Sequence, residues 1–236
     1  MKLPQADFQH RRNRLAEKMG PNSIAIIATR EEMYRNRDAD YKFRADSSFF
    51  YLTGFAEPEA VAVIETFDDV TDYSYSLFCR ERNREMEIWN GYRAGIDGAI
   101  EEYEADEAYA IDLLDEEIIE KLLNKERLYY RIGHNAAFDA RVSQWIKKAN
   151  AEHRHEAAPA QLVQLDRIID EMRLIKSPQE KRRYTALTGE GGEIRKEINE
   201  GRVYVAFSRA RLQVHCVTSM PPNLWPGGIW IKKSPD

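Results

Sequence analysis

The sequence has few cysteines and no long apolar run. Cys79 and Cys216 are its two cysteines, neither belongs to a C-x-x-C pair, and a bond between them would span most of the chain, so we expect reduced thiols without a redox role. No stretch approaches the roughly 18 apolar residues of a membrane-spanning helix. The first residues lack the apolar core of a signal peptide. We therefore expect a cytoplasmic protein that does not contact a membrane.

Motifs of several enzyme classes are also missing. The sequence contains no G-x-x-x-x-G-K, no G-x-S-x-G and no H-E-x-x-H, so nucleotide hydrolysis, serine esterase chemistry and zincin chemistry have no motif support. The formal net charge of −5 disfavours nucleic acid as a partner, because phosphate contacts need a basic surface. A hydrophobic fraction of 43% is enough to bury the core of a globular protein.

The first 180 residues alternate between strand and helix patterns. We predict strands at 23–29, 49–52, 74–79 and 128–132, with another alternating apolar strand after Pro58. Helical spacing of apolar residues predicts one helix through Phe8, Leu15 and Met19, a second through Ile111, Leu114, Ile118 and Leu122, and a third through Phe138, Val142, Trp145 and Ala149. Strands interleaved with helices favour an α/β fold with a mixed or parallel sheet covered on both faces.

The stretch FFYLTGFAEPEAVAVIE, residues 49–65, predicts a β-corner. Its aromatic start favours a strand, Gly54 can adopt a positive φ, and Pro58 cannot donate a hydrogen bond to a sheet. The pattern itself does not say what the corner does.

Basic and histidine clusters have simpler structural interpretations. Arg11, Arg12 and Arg14 lack interleaved aromatic residues, so we expect a solvated helix face rather than a phosphate site. His153 and His155 supply too few ligands for a metal and favour a solvated turn. His134 follows a strand and precedes a helix, a common place for ligand-binding residues. We favour a structural role there, because Asn135 is a good helix N-cap.

Composition changes near residue 180. Residues 181–236 hold 10 Lys and Arg and 5 Asp and Glu, a charge of +5, which leaves −10 for residues 1–180. Ser177, Pro178 and Glu180 form a capping box that predicts the start of a helix. The residues that follow are rich in glycine and proline and lack the expected apolar face. We therefore expect residues 181–236 to be an atypical tail, truncated or frameshifted.

Four blocks of the sequence carry a family resemblance. They are FQHRRNRLAEKM at 8–19, RNRDADYKFRADSSFFYLTGFAEPEAVAVIE at 35–65, REMEIWNGYRAG at 84–95 and DEMRLIKSPQE at 170–180. The sequence resembles the N-terminal domain of aminopeptidase P, the Xaa-Pro aminopeptidase family. The resemblance implies a creatinase-like α/β domain, a mixed sheet flanked by helices, over residues 1–165. Residues 166–180 would then be a linker and the start of a catalytic-domain helix.

The resemblance also implies a chemistry that these residues do not complete. In that family a C-terminal domain of pita-bread fold holds two metal ions, usually manganese, through two Asp, one His and two Glu. Such ions can activate a water molecule, which then hydrolyses the peptide bond between the first residue and the proline that follows it. The residues after Glu180 contain one histidine, His215, and one aspartate, Asp236. We therefore assign no catalytic residue and no metal ligand, expect no cofactor in this chain, and expect it to be inactive alone.

Asp38, Asp40, Arg44, Trp89 and Arg93 are the candidate contact residues. The resemblance implies that their two segments mediate oligomer contacts and wall the substrate cleft, sometimes that of a neighbouring subunit. Tryptophan and arginine also suit interface anchors. The implied partners are a second copy of the chain and, for the full-length enzyme, peptides with proline at position two. A solvated charged loop with a core tryptophan is the simpler alternative.

A second functional hypothesis belongs to a different class. The chain could be a stand-alone, non-catalytic module that binds peptides or proteins, of the creatinase and prolidase N-terminal type, because this fold alone does not fix function. Dimerisation would favour a retained assembly role. An aggregation-prone monomer would favour a broken enzyme with an exposed apolar surface.

Overall fold

The computed structural model describes residues 4–33, 35–37, 41–69, 72–152 and 157–176. The chain divides into two compact units, Met1–Met172 and Arg173–Asp236, and the fold below is that of the first. The predicted capping box at 177–180, the tail and the His153 and His155 pair lie outside the described residues. No helix in the described ranges is long and apolar enough to cross a membrane.

Six strands and seven helices make up the described part of the first unit, α7 running two residues past its end. The strands are β1 (Ser23–Ala28), β2 (Val61–Thr66), β3 (Tyr73–Cys79), β4 (Glu107–Ala110), β5 (Arg127–Tyr130) and β6 (Gln161–Gln164). The helices are α1 (Gln5–Met19), α2 (Ser47–Thr53), α3 (Arg84–Asn90), α4 (Gly95–Glu101), α5 (Leu114–Leu122), α6 (Ala136–Glu152) and α7 (Leu165–Leu174), with a 3-10 turn at Ile111–Leu113.

The strands form one mixed sheet, which confirms the expected fold class. Its order is β4-β3-β2-β1-β5-β6. Strand β2 is antiparallel to both β1 and β3, whereas β4, β5 and β6 join as parallel strands. The central strands β1 and β2 are buried almost throughout, because both faces of the sheet are covered. Their nearly continuous apolar sequences reflect this double burial.

Each face of the sheet has its own hydrophobic core. One core receives side chains from α1, α2, α4 and α7, and the other from α5 and α6. All three predicted helical stripes are confirmed, with the following members fully or almost fully buried: Phe8, Leu15, Met19, Leu114, Ile118, Leu122, Val142, Trp145 and Ala149. Helical spacing located these faces because burial repeats with the helical period.

The predicted β-corner was wrong, because residues 49–52 lie in helix α2. Asp46 caps this helix: its carboxylate accepts hydrogen bonds from the Ser48 and Phe49 N–H groups at 2.8 and 3.2 Å. Gly54 ends it in the left-handed conformation with φ +69°. A cap at each end and the complete burial of Phe49 and Leu52 outweigh the strand preference of aromatic residues.

The expected solvated face of α1 was also wrong for two of its three arginines. Arg11 and Arg12 are only 5% and 1% exposed. Their Nη1 atoms donate to the backbone oxygens of Tyr51 and Leu52 at 2.9 and 3.2 Å. These carbonyls lie in the last turn of α2, where helical partners are missing. The packing of α1 on α2 therefore draws the guanidinium groups inside.

Helix α7 covers the first part of the expected linker at 166–180. Its residues Leu165, Ile169 and Met172 are fully buried, and the Tyr51 hydroxyl donates to the Met172 carbonyl at 3.4 Å. The folded unit thus extends past the boundary expected at residue 165. The role of residues 166–180 as a linker stays a prediction.

Candidate functional site

The structure describes the side chains of two of the five candidate contact residues. Arg44 is exposed in the segment that leads into α2, and Arg93 is half-buried in the segment between α3 and α4. Trp89 lies in α3, but its side chain is outside the described part, as are Asp38 and Asp40. The two described arginines thus lie on separate segments.

Residues 80–95, which we call the strap, leave the sheet after β3 and carry α3. Asn83 caps this helix by accepting hydrogen bonds from the Glu85 and Met86 N–H groups at 3.1 and 3.2 Å. None of the described side chains of α3 is buried. Ile88 is 79% exposed and Met86 41% exposed. The two residues are two positions apart and therefore project from different sides of α3, so the more exposed Ile88 is the main apolar feature of its surface.

The strap is tied to the rest of the domain at its base. The Glu57 carboxylate accepts a hydrogen bond from the Ala94 N–H group at 2.8 Å, and its other oxygen lies 3.8 Å from Nη2 of Arg80. Burial raises the pKa of Glu57, and it outweighs the opposing effects of the Ala94 hydrogen bond and of the positive charges on Arg80 and Arg93. Glu57 was missed by the sequence analysis, because its partners are distant in sequence.

Further interactions shape the strap itself. Glu87 accepts hydrogen bonds from Nε of Arg82 at 3.1 Å and from the Arg93 N–H group at 3.4 Å. The Tyr92 hydroxyl is hydrogen-bonded to the Glu102 carboxylate, which follows α4. Glu87 therefore holds the two flanks of α3 together, and Tyr92 adds a second connection to the domain.

An open cleft of about 320 Å³ lies where β1 and β5 end. These neighbouring parallel strands lead to helices on opposite faces of the sheet, α2 and α6. Such a switch point leaves a crevice at the carboxyl ends of the strands. Its lining consists of Ile26, Ala28, Thr29, Arg30, Glu31, Met33, Asp46, Arg131, His134, Asn135 and Phe138.

Charges in this cleft are largely paired with each other. Asp46 Oδ2 accepts a hydrogen bond from Arg131 Nη1 at 2.8 Å and lies 3.7 Å from Arg30 Nε. Arg131 Nε also pairs with Asp166 at 2.7 Å. Burial alone would raise the pKa of Asp46, but hydrogen bonds from two backbone N–H groups and the charges of both arginines lower it. Asp46 therefore supports the fold as an ionised cap.

Asn135 is the N-cap of α6, as the sequence predicted. Its Oδ1 accepts hydrogen bonds from the Ala137 and Phe138 N–H groups at 3.0 and 3.2 Å. The exposed side chain of His134 lines the cleft. Its structural role stays a prediction.

The described residues do not fit the metal site that the family resemblance implies. Within the described ranges, no group of three or more His, Cys, Asp or Glu side chains is arranged to hold a metal ion. We therefore assign no catalytic step to these residues. Cys79 is buried, and burial together with the nearby Glu57 charge raises the pKa of its thiol to about 12. Such a thiol is protonated and unreactive.

Comparison with known proteins identifies the family. Residues 8–129 match the family described as aminopeptidase P, N-terminal domain. The chain belongs to this aminopeptidase P N-terminal domain family. The Xaa-Pro aminopeptidase of Escherichia coli strain K12 is 37% identical over 179 residues, which cover 75% of this chain and 40% of that protein. The Xaa-Pro aminopeptidase of Haemophilus influenzae is 35% identical over 181 residues, 77% of this chain and 39% of its own length.

Solved structures of aminopeptidase P have the same fold. The zinc-substituted E. coli enzyme in complex with product and its low-pH form each give a TM-score of 0.74 at 35% identity, over 80% of this chain and 43% of theirs. The chain thus spans about 40% of the length of the curated relatives it matches. The similarity covers their N-terminal domain.

Proposed function

We propose that this chain acts as the N-terminal domain of a metal-dependent Xaa-Pro aminopeptidase, located in the cytoplasm. Manganese is the proposed metal, and peptides with proline at position two are the proposed substrates. In this proposal the 236 residues do not catalyse. They join subunits and form a wall of the active-site cleft. Membership of the aminopeptidase P N-terminal domain family supports this assignment, as do relatives named Xaa-Pro aminopeptidase.

The exposure of Ile88 on α3 is the observation that carries the assembly role. A seven-residue helix is too short to be stable in water by itself. Ile88 nevertheless remains 79% exposed, and Met86 41%. A second copy of the chain packing on the Ile88 side of α3 would bury this side chain and stabilise the helix.

The five candidate residues contribute to the cleft wall in this proposal. Arg93 lies three residues after the end of α3, and Arg44 is exposed before α2. Guanidinium groups bind carboxylates well, so both suit a peptide substrate or an acidic group of a second subunit. Asp38, Asp40 and Trp89 belong to the same proposal from their positions in the sequence.

Sedimentation velocity over a wide concentration range tests the assembly role. We expect the wild-type chain to self-associate and Ile88→Lys to remain monomeric, because the lysine would place a charge in the buried interface. Leu113→Lys is the matched control, since Leu113 is 41% exposed in the 3-10 turn before α5. It should associate like the wild type. A wild-type chain that stays monomeric throughout would contradict this role.

A further inference from the structure

We propose that Glu57 is a positioning residue that clamps the base of the strap and fixes the conformation in which α3 is presented. The clamp itself is argued from contacts of this chain. Only its benefit, an ordered assembly surface, rests on the proposed function.

Glu57 lies where the two ends of the strap come together. Glu57 belongs to the segment after α2, yet it contacts both ends of the strap, Ala94 at 2.8 Å and Arg80 at 3.8 Å. Next to the first strap end, the thiol of Cys79, the last residue of β3, also donates to the Gly95 carbonyl at 3.5 Å. The strap is thus a closed loop, and the Glu57 carboxylate lies at its neck.

The neck is tightly packed at Gly95. This residue has φ +65°, and a Cβ atom added there would lie 3.0 Å from Cβ and 3.1 Å from N of Arg82. The two strap ends therefore approach each other too closely for an ordinary side chain. Because the strap is short and its base is closely packed, small shifts of the base would also move α3.

The neck of the strap contains one negative and two positive charges. Glu57 carries the negative charge between two arginines, Arg80 and Arg93, and both favour its ionised form. Three polar atoms at this neck are buried without a hydrogen bond in the described structure: Glu57 Oε2, Arg80 Nε and Arg93 Nε. Removing the carboxylate would leave two guanidinium groups without their shared counter-charge. The strap ends would then separate.

Helix α3 is attached to the rest of the domain at few points. Its described side chains are not buried, and the Glu87 interactions with Arg82 and Arg93 lie within the strap. Among the described residues, three hydrogen bonds connect residues 81–94 to other segments: those of Ala94 with Glu57 and Gly98, and that of Tyr92 with Glu102. Loss of Glu57 should therefore affect the strap far more than the core.

Hydrogen exchange on the full chain, at concentrations where it is monomeric, tests the clamp. We expect Glu57→Ala to raise exchange of amides 84–94 by about tenfold or more, while amides of β1 and β2 keep their protection. Glu57→Gln should partly restore protection, because its amide oxygen can still accept from the Ala94 N–H group. Glu59→Gln is the matched control, an exposed glutamate of the same segment, and should behave like the wild type.

A second variant guards against misfolding of the Glu57 variants. Arg80→Gln keeps the carboxylate and removes one counter-charge, and it should raise exchange in the same amides by a smaller factor. The proposal is overturned if the strap exchanges alike in Glu57→Ala and wild type, or if exchange rises equally in strap and core. Since the readout needs no self-association, a failed clamp is distinguishable from a failed assembly role.

Discussion

Single residues show how burial of a charge depends on what surrounds it. Arg12 is 1% exposed, and its guanidinium lies 4.2 Å from the centre of the Tyr75 ring. Arg11 lies 4.3 Å from the Tyr51 ring. Aromatic faces and helix-end carbonyls replace water around these cations. Arg11 and Arg12, which we expected on a solvated face, are therefore part of the α1–α2 interface.

Replacement of Arg12 by alanine should destabilise the protein. We expect Arg12→Ala to lower the free energy of unfolding by about 2–3 kcal/mol, because it removes buried packing, the contact with Tyr75 and a donor to the Leu52 carbonyl. Urea unfolding measures this change. Arg14→Ala is the control, since Arg14 is only half-buried, and it should cost much less. Equal losses of unfolding free energy in Arg12→Ala and Arg14→Ala would show that the buried Arg12 stabilises the protein no more than the half-buried Arg14.

Gly54 allows a second prediction at this scale. Its φ is +69°, and an added Cβ would lie 2.7 Å from Cε2 of Phe8. Gly54→Ala should therefore cost about 2–3 kcal/mol in the free energy of unfolding, from backbone strain and the clash together. Gly133→Ala is the matched control, because φ is +77° there with nothing within 4 Å. It should cost about 1 kcal/mol, and an equal cost at both sites would exclude the clash.

Sequence alone could predict burial of residues whose neighbours repeat along a helix. Leu15 and Met19 follow from their spacing. Burial of Arg12 could not be predicted, because its partner carbonyl lies 40 residues away in the chain. Glu57 is similar, since Ala94 is 37 residues distant. Such roles depend on which elements become neighbours in the fold.

At the scale of elements, the ends of helices decide their type. Asp46 and Gly54 bound α2, and both signals are visible in the sequence. The strand prediction for residues 49–52 was wrong, because these caps determine the structure more strongly than the aromatic content does. Strands β4 and β6 have only four residues each, with partly exposed side chains. They were not predicted, because short edge strands carry no strong apolar alternation.

The cap of α2 should make stability depend on pH. The pKa of Asp46 lies below its ordinary value of 3.8, so its stabilising effect is complete above that value and is lost as the pH falls through the lowered pKa. Asp46→Asn should reduce the free energy of unfolding at neutral pH, because the charge pair with Arg131 is lost.

Urea unfolding from about pH 7 to about pH 3 checks this prediction. Wild type should lose stability toward the acid end, and Asp46→Asn should lose less over the same range. Asp72→Asn serves as control, an exposed aspartate before β3, and should follow the wild type. Parallel curves for wild type and Asp46→Asn would contradict the assignment of Asp46 as an ionised cap.

At the scale of the whole molecule, the fold class could be predicted from the sequence, whereas the assembly surface stays a proposal. Alternating strand and helix patterns indicated an α/β sheet, and the four sequence blocks indicated the family. The sequence analysis did not predict that the folded unit extends through α7 to Met172. The apolar residues of α7 lie in a stretch that we expected to be a linker. Asp38 and Asp40 lie outside the described residues, so their role stays a prediction.

The proposed function separates two roles within one enzyme. The described residues form a sheet, two hydrophobic cores and the exposed helix α3. No metal-ligating group is found among these residues. In the proposed enzyme, hydrolysis belongs to residues outside this domain, and the strap contributes position and contact. We propose that this chain provides assembly contacts and does not itself catalyse.

A peptide hydrolysis assay tests that claim most directly. The purified full chain is incubated with added Mn²⁺ and a peptide that has arginine first and proline second, and release of the first residue is followed by mass spectrometry. The E. coli Xaa-Pro aminopeptidase serves as the positive control. We expect no release above the rate without protein. Release that scales with the concentration of the chain would contradict the account.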